Sequence, residues 1–420
     1  MDQYVIKDDK KLRYGYTTGS CAAGAAKAAA RMLVSGEEVH HVRLMTPKGF
    51  ELLLEIEEVT RTADAVSCAV RKDSGDDPDV TNGTLVFAEV RYRDEPGIVI
   101  DGGAGVGRVT KPGLDQPVGN AAINSTPRRM IAEAVAEAAG MTAPDRDEAA
   151  GSDSARITAD GRGLSVTISI PEGEELAKKT FNPKLGIVGG ISVLGTTGIV
   201  EPMSDDALKA TIEVEIRVRK EEDFPILPVA PGNYGQSFMM ETYGFPLEVS
   251  VASSNFIAET IEMAAAAGFK RLLFVGHIGK LVKVAGGVRN THSRYGDRRM
   301  EIMTAIAEDH REALAARPDD LMAEIAQRLA DCVSTDEAIR ILKEYPAGGQ
   351  TTLSGLVMAD MTERVRAQME EWACHRIAVE VVMFSNVYGE LGRTEGAGAY
   401  MEELTAWLKE NKYTDDCAEP

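Results

Sequence analysis

No uninterrupted apolar run in the 420 residues approaches the ~20 that a membrane-spanning helix needs, so no membrane span is expected. The opening string MDQYVIKDDKK is charged and has no apolar core, so no signal peptide is expected either. Cysteine is scarce. Cys21, Cys68, Cys332, Cys374 and Cys417 are odd in number and never form a C-x-x-C pair. Neither a disulfide framework nor a zinc site is indicated, and the reducing cytoplasm is the expected location. Positive charge is in deficit, with 46 Lys and Arg against 66 Asp and Glu, a net −20. A phosphate backbone or an anionic membrane surface would be repelled, which argues against nucleic acid and membrane as partners. Internal repeats, coiled-coil heptads and low-complexity segments are absent.

What is present is an ordinary globular composition, 44% hydrophobic and 27% charged, long enough for two or three domains. The 40 glycines cluster in loops after apolar runs. In the first half, Thr17 or Thr18 caps a helix whose body is Ala22 to Met32 and which ends at Gly36. Gly19, Ser20 and Cys21 fill its first turn. Small residues there leave N–H groups open to an anion and favour a lowered Cys21 pKa. Close helix packing would ask for the same residues. Strands follow at VHHVRLMT, FELLLEIEEV, AVSCAVRK, LVFAEVRY and GIVID, spaced for antiparallel pairing. KDSGDDPDVTNG reads as a solvated acidic turn, its spacing wrong for a calcium loop. The glycines of Asp101 to Gly113 mimic a dinucleotide fingerprint, but no helix starts after Gly107. Arg108 and Lys111 on that loop suit an anionic ligand or are plain surface charges. A second helix begins near Ser125, residues 141–160 read as a polar loop, and GLSVTISIP is a further strand.

The stretch Phe181 to Ser204, FNPKLGIVGGISVLGTTGIVEPMS, reads as an apolar strand entering a loop of Gly195, Thr196, Thr197 and Gly198, then a helix. Strands and helices alternate after it, which argues for a parallel sheet covered on both faces. The loops at 195–198, 231–235, 253–255 and 276–280 would then line one crevice at the strand ends. The expected fold is therefore α/β overall. Residues 1–183 form an α+β domain with a mainly antiparallel sheet, and residues 184–420 an α/β domain with a mainly parallel one. Gly276-His277-Ile278-Gly279-Lys280 looks like half a P-loop, but its leading glycine is misplaced and Leu281 stands where Ser or Thr is required. His277 is a site residue or a structural histidine. RNTHSRYGDRR, residues 289–299, sets Arg289, Arg294, Arg298 and Arg299 against one Asp297, a composition suited to a ligand with several carboxylates or to surface ion pairs.

Five of these strings, Gly15–Ala30, Asp101–Pro117, Phe181–Ser204, Pro231–Gly235 and Gly276–Arg294, together resemble the cobalt-precorrin-5B C1-methyltransferase family of anaerobic cobalamin biosynthesis. The resemblance implies methyl transfer from S-adenosyl-L-methionine to ring carbon C1 of a cobalt-containing tetrapyrrole, with no protein-bound metal. On that footing Gly195, Thr196, Thr197, Gly198, Glu201, Asn233 and Gly276 are expected at the donor. Thr17, Thr18, Ser20, Arg108, Lys111, Arg289 and Arg294 are expected at the macrocycle, in a cleft between the domains. His277 or His292 would move a proton. A non-catalytic tetrapyrrole carrier and a phosphate-binding small-molecule enzyme are the alternatives, and a homo-oligomer is left open.

Overall fold

A computed structural model describes residues 3–7, 10–141, 158, 161–314, 318–348 and 351–413. Apart from Met141 and Thr158, the expected loop at 141–160 lies outside the described residues. Mixed α/β describes the whole. The chain divides into two units, Met1–Asp205 and Asp206–Pro420.

The first unit is built on a five-stranded sheet. Its strands are β1 (Glu57–Arg61), β2 (Ala65–Arg71), β3 (Leu85–Arg93), β4 (Ile98–Gly102) and β5 (Gly163–Ser169), in the order β1-β2-β3-β5-β4. Neighbours are antiparallel except β5 and β4, which run parallel. Alternate residues Val86, Ala88 and Val90 of β3 are buried, as a period of two requires of a half-covered sheet. Helices α1 (Thr18–Ser35) and α2 (Ser125–Ala138) pack together and on this sheet. Almost every residue of α1 from Thr18 to Ala30 is buried. Only small side chains fit a helix covered on so many sides.

Three expectations about this half change. His41–Met45 and Glu51–Glu55 form a separate two-stranded hairpin instead of joining the main sheet. The acidic turn is not simply solvated. Lys72 is buried within it and paired with Asp79 and Thr81, and Asp73 grips Arg13 through two bonds of 2.6 and 2.7 Å. The stretch Phe181 to Ser204 is not a strand of a parallel sheet. It folds with the first unit as three two-residue strands, Ile187–Val188, Gly190–Ile191 and Ile199–Val200, which pair with Arg108–Val109, Gly105–Val106 and Gly15–Tyr16. Gly189, in the left-handed region at φ +82°, turns the chain between the first two, so no long strand can propagate. These pairings move the boundary from the expected 183/184 to Asp205/Asp206.

The second unit opens with α3 (Asp205–Glu221). Then come β6 (Leu227–Ala230), α4 (Asn233–Tyr243), β7 (Val251–Ala252), α5 (Ile257–Ala266), β8 (Arg271–His277) and α6 (Ile278–Ala285). Helices α7 (Arg299–Asp309), α8 (Pro318–Ala330), α9 (Thr335–Lys343) and α10 (Leu353–Trp372) follow, before β9 (Ala378–Ser385), β10 (Gly389–Arg393) and α11 (Ala397–Glu410). The sheet order is β7-β6-β8-β9-β10, with the first four strands parallel and β10 antiparallel at the edge. Leu272 to Val275 of β8 are all fully buried, the unbroken apolar run of a strand covered on both faces. LEVSVASSNF supplies only the two residues of β7, and the carboxylate of Glu215 on α3 accepts the Ala252 N–H at 3.0 Å. Among the described residues no helix is long and apolar enough to cross a membrane.

Candidate functional site

In chain order the parallel strands are β6, β7, β8 and β9, yet β6 lies between β7 and β8. The order therefore reverses between β6 and β8. In open α/β sheets the crevice at the carboxyl ends of such a strand pair is where ligands sit, because the following loops part in opposite directions. A pocket of about 320 Å³ opens there. Pro231, Tyr234 and Gly235 reach it from the end of β6 and the start of α4. His277, Gly279 and Lys280 come from the end of β8 and the first turn of α6. Arg299, Ser334, Thr335 and Asp336 close it from α7 and the start of α9. A larger hollow of about 510 Å³ lies beside α11, but its arginine is already spent, since Arg393 and Tyr243 both bind Glu390.

Within the strand-end pocket Lys280 donates from Nζ to the carbonyls of Pro231 and Ser254, 3.0 Å each. One amine thus fastens the loops that follow β6 and β7 to the helix that follows β8. Burial pulls the Lys280 pKa down to about 8. His277 caps α6, its Nδ1 accepting the Gly279 N–H at 3.1 Å. Its pKa also falls, through burial first and through Arg299, with Asp336 opposing. Nδ1 accepts, so the proton of the neutral ring is on Nε2. Oδ1 of Asp336 is buried and has no hydrogen-bond partner.

His292 repeats the capping geometry, its Nδ1 accepting the Arg294 N–H at 3.1 Å. Both histidines expected to move a proton therefore use one ring nitrogen to hold a turn. Of the arginines in 289–299, three bind neighbouring carboxylates: Arg289 with Glu262, Arg298 with Glu301 and Arg299 with Asp297. Arg294 is exposed and lies 5.1 Å from the Tyr295 ring. Asn233 opens α4 beside the pocket, and Gly276 lies under Leu281, whose side chain a Cβ there would meet at 2.9 Å.

The remaining expected site residues belong to the first unit. Thr17 caps α1, its Oγ1 accepting the Ser20 N–H at 3.2 Å, and Ser20 Oγ donates to the Gly198 carbonyl at 2.7 Å. Gly19 donates its N–H to the Leu194 carbonyl at 2.9 Å. The helix start that looked open to an anion is thus partly filled by the chain itself. Thr18 is buried, and Thr196 and Thr197 are exposed. Cys21 has no exposed surface, and burial pushes its thiol up to about 12, the reverse of the expected lowering. Glu201 pairs with Lys48 at 3.2 Å and Lys7 at 4.0 Å. Arg108 grips Asp101 through bonds of 2.7 and 2.9 Å, and the stem of Lys111 lies against Gly186.

Of the four loops expected in one crevice, 231–235 and 276–280 line the strand-end pocket, and the Ser254 carbonyl joins them through Lys280. Loop 195–198 folds onto Thr17 in the first unit. Sequence reasoning placed the 231–235 and 276–280 loops at the crevice without singling out Tyr234 or Lys280, and it missed Ser334 and Asp336. Lys280 had a readable signal, a lysine in a glycine-flanked strand-to-helix turn. Asp336 had none, because α9 reaches the pocket only through the tertiary fold. Among the described residues no group of three or more His, Cys, Asp or Glu side chains is gathered to hold a metal.

Two family models match the chain, CbiD over residues 5–202 and the CbiD C-terminal domain over residues 290–395. A cobalt-precorrin-5B C(1)-methyltransferase of Alkaliphilus metalliredigens is 42% identical over 96% of this chain and 98% of its own. The protein of that name from Ruminiclostridium cellulolyticum is also 42% identical, with the same coverage of 96% and 98%. The crystal structure of a cobalamin biosynthesis protein (cbiD) from Archaeoglobus fulgidus is 28% identical and covers 67% of this chain and 83% of its own, with a TM-score of 0.34. The chain belongs to the CbiD family, whose relatives here bear the name cobalt-precorrin-5B C(1)-methyltransferase.

Proposed function

We propose that this chain methylates C1 of cobalt-precorrin-5B in cobalamin biosynthesis, with S-adenosylmethionine as the methyl donor. The observation that carries the reading is the 42% identity to a methyltransferase of that name over 96% of the chain. The donor belongs, on this reading, in the strand-end pocket of the second unit. A switch-point pocket with a half-buried cation and an unpartnered carboxylate oxygen suits a polar small molecule. This choice replaces Gly195–Gly198, whose loop is engaged with Thr17.

In the transfer, the C1 carbon attacks the donor methyl and the carbon–sulfur bond breaks. The electron pair stays on sulfur, so a sulfonium becomes a thioether. The donor is already activated, so the protein's work is to hold the two carbons in line and exclude water. With Nδ1 accepting the Gly279 N–H, the neutral His277 ring keeps Nε2–H as a donor for a ligand oxygen or water. Kept neutral, it adds no positive charge beside a sulfonium. The macrocycle's acetate and propionate groups call for cations, and exposed Arg294 in the 293–295 turn of the second unit is the residue we assign to one of them.

The test is an anaerobic incubation of the protein with methyl-labelled S-adenosylmethionine and cobalt-precorrin-5B, read by mass and carbon NMR. A labelled methyl at C1 is expected. No transfer to verified substrate by folded protein would overturn the reading in favour of a carrier. Arg294→Ala should raise the tetrapyrrole KM several-fold while leaving donor binding intact, the loss of one charge-assisted contact.

A further inference from the structure

The strand-end pocket holds opposite charges that do not meet. Both hydrogen bonds of Lys280 go to neutral carbonyls, and its ammonium has a third N–H to offer. Among the described residues no carboxylate lies within ion-pair distance of it. Arg299, the other cation in the lining, is spent on Asp297 through bonds of 2.7 and 2.6 Å. Asp336 has one oxygen that is buried and unpartnered. A half-buried cation without a counter-charge, on a chain of net −20, waits for an anion. A buried carboxylate oxygen without a donor waits for a cation or an N–H. A phosphate would satisfy Lys280 but would be repelled by Asp336. A zwitterion satisfies both.

We propose that Lys280 and Asp336 clamp the amino-acid end of the methyl donor, Lys280 taking the α-carboxylate and Asp336 Oδ1 the α-ammonium. The clamp rests on the reading of S-adenosylmethionine as donor and says which part of it the protein reads. Burial of Lys280 sharpens the contact, because a bound carboxylate relieves the cost of its isolated charge.

Calorimetric titration of the full chain with S-adenosylhomocysteine and with its decarboxylated analogue tests this. Lys280→Met should weaken S-adenosylhomocysteine about tenfold or more while leaving the decarboxylated analogue unchanged, since that analogue has no carboxylate to lose. Asp336→Asn should weaken both by a similar factor, since both keep the ammonium. Lys280→Arg should restore part of the loss. Equal weakening of both ligands by Lys280→Met would make the lysine only a fastener of loops and overturn the clamp. Wild-type affinity in both variants would overturn it too, with methyl transfer left standing. If wild type bound neither ligand and moved no methyl, the underlying reading would fall and the clamp with it. Melting curves report folding. Should Lys280→Met not fold, Asp336→Asn decides against 5′-methylthioadenosine, which lacks the amino-acid end. Weakened S-adenosylhomocysteine with unchanged methylthioadenosine supports the clamp, and any other pattern overturns it.

Discussion

Lys280 sets a pH signature that can be worked out with its sign. Its folded pKa is about 8, against an ordinary 10.5. Between those values the unfolded chain binds the proton and the folded chain does not, so this group adds stability as pH rises from about 8 and withdraws it as pH falls back. Anion binding runs the other way. It needs the ammonium, so donor affinity should be flat below pH 8 and decline above it, by up to about tenfold per unit. Titration at pH 7, 8 and 9 reads this, and a flat profile would say that the carboxylate is held elsewhere. Cys21 yields an opposite expectation to the one its place at a helix start suggests. Fully buried and with its thiol pushed up to about 12, it should remain unalkylated by iodoacetamide at pH 8 while exposed Cys374 reacts, as peptide mapping would show. The sequence could not separate these cases. A cysteine among small residues at a capped helix start looks the same whether the space beside it is ligand or protein.

The join between α1 and the loop 195–198 is the element whose role changed most. Gly195, at φ +152°, has no room for a side chain, because a Cβ would lie 2.3 Å from Thr17 Oγ1. Gly195→Ala should therefore cost about 2 kcal/mol from strain and crowding. Thr17→Ala should cost about 1 kcal/mol through loss of the cap. Both are read as lowered melting temperatures with S-adenosylhomocysteine affinity unchanged, whereas a donor site at this loop would show lost affinity first. The parallel sheet was legible because β8 and β9 carry long apolar runs between helical stretches, which local pattern reports directly. The strands of 187–200 were not. Two-residue strands have no periodicity, and their partners at 15–16, 105–106 and 108–109 are distant in the chain. The apolar run there was real, but it records burial in the first unit rather than a strand of the second.

For the whole molecule, net charge makes its own prediction. A chain at −20 facing a carboxylate-rich macrocycle works against long-range repulsion. Raising ionic strength from about 0.02 to 0.15 M, where the screening length falls to about 8 Å, should raise kcat/KM for the tetrapyrrole. A falling value in initial-rate measurements would mean that local cations dominate the approach. The site was half legible at this scale. The convergence of the 231–235 and 276–280 loops followed from strand alternation, while Asp336 and Ser334 came from a helix whose docking no local pattern announces. The crowding around α1 carries a last consequence. Its string of alanines and glycines is among the most recognisable in the chain, yet its atoms meet other parts of the protein at nearly every position. A saturation scan should find residues 18–30 intolerant of enlargement even when selection is only for soluble expression. Exposed Tyr234, on the rim of the pocket, should become intolerant only when selection is for the methylated product. The strings by which such a chain is recognised and the residues by which it works would then separate as two distinct maps of tolerance.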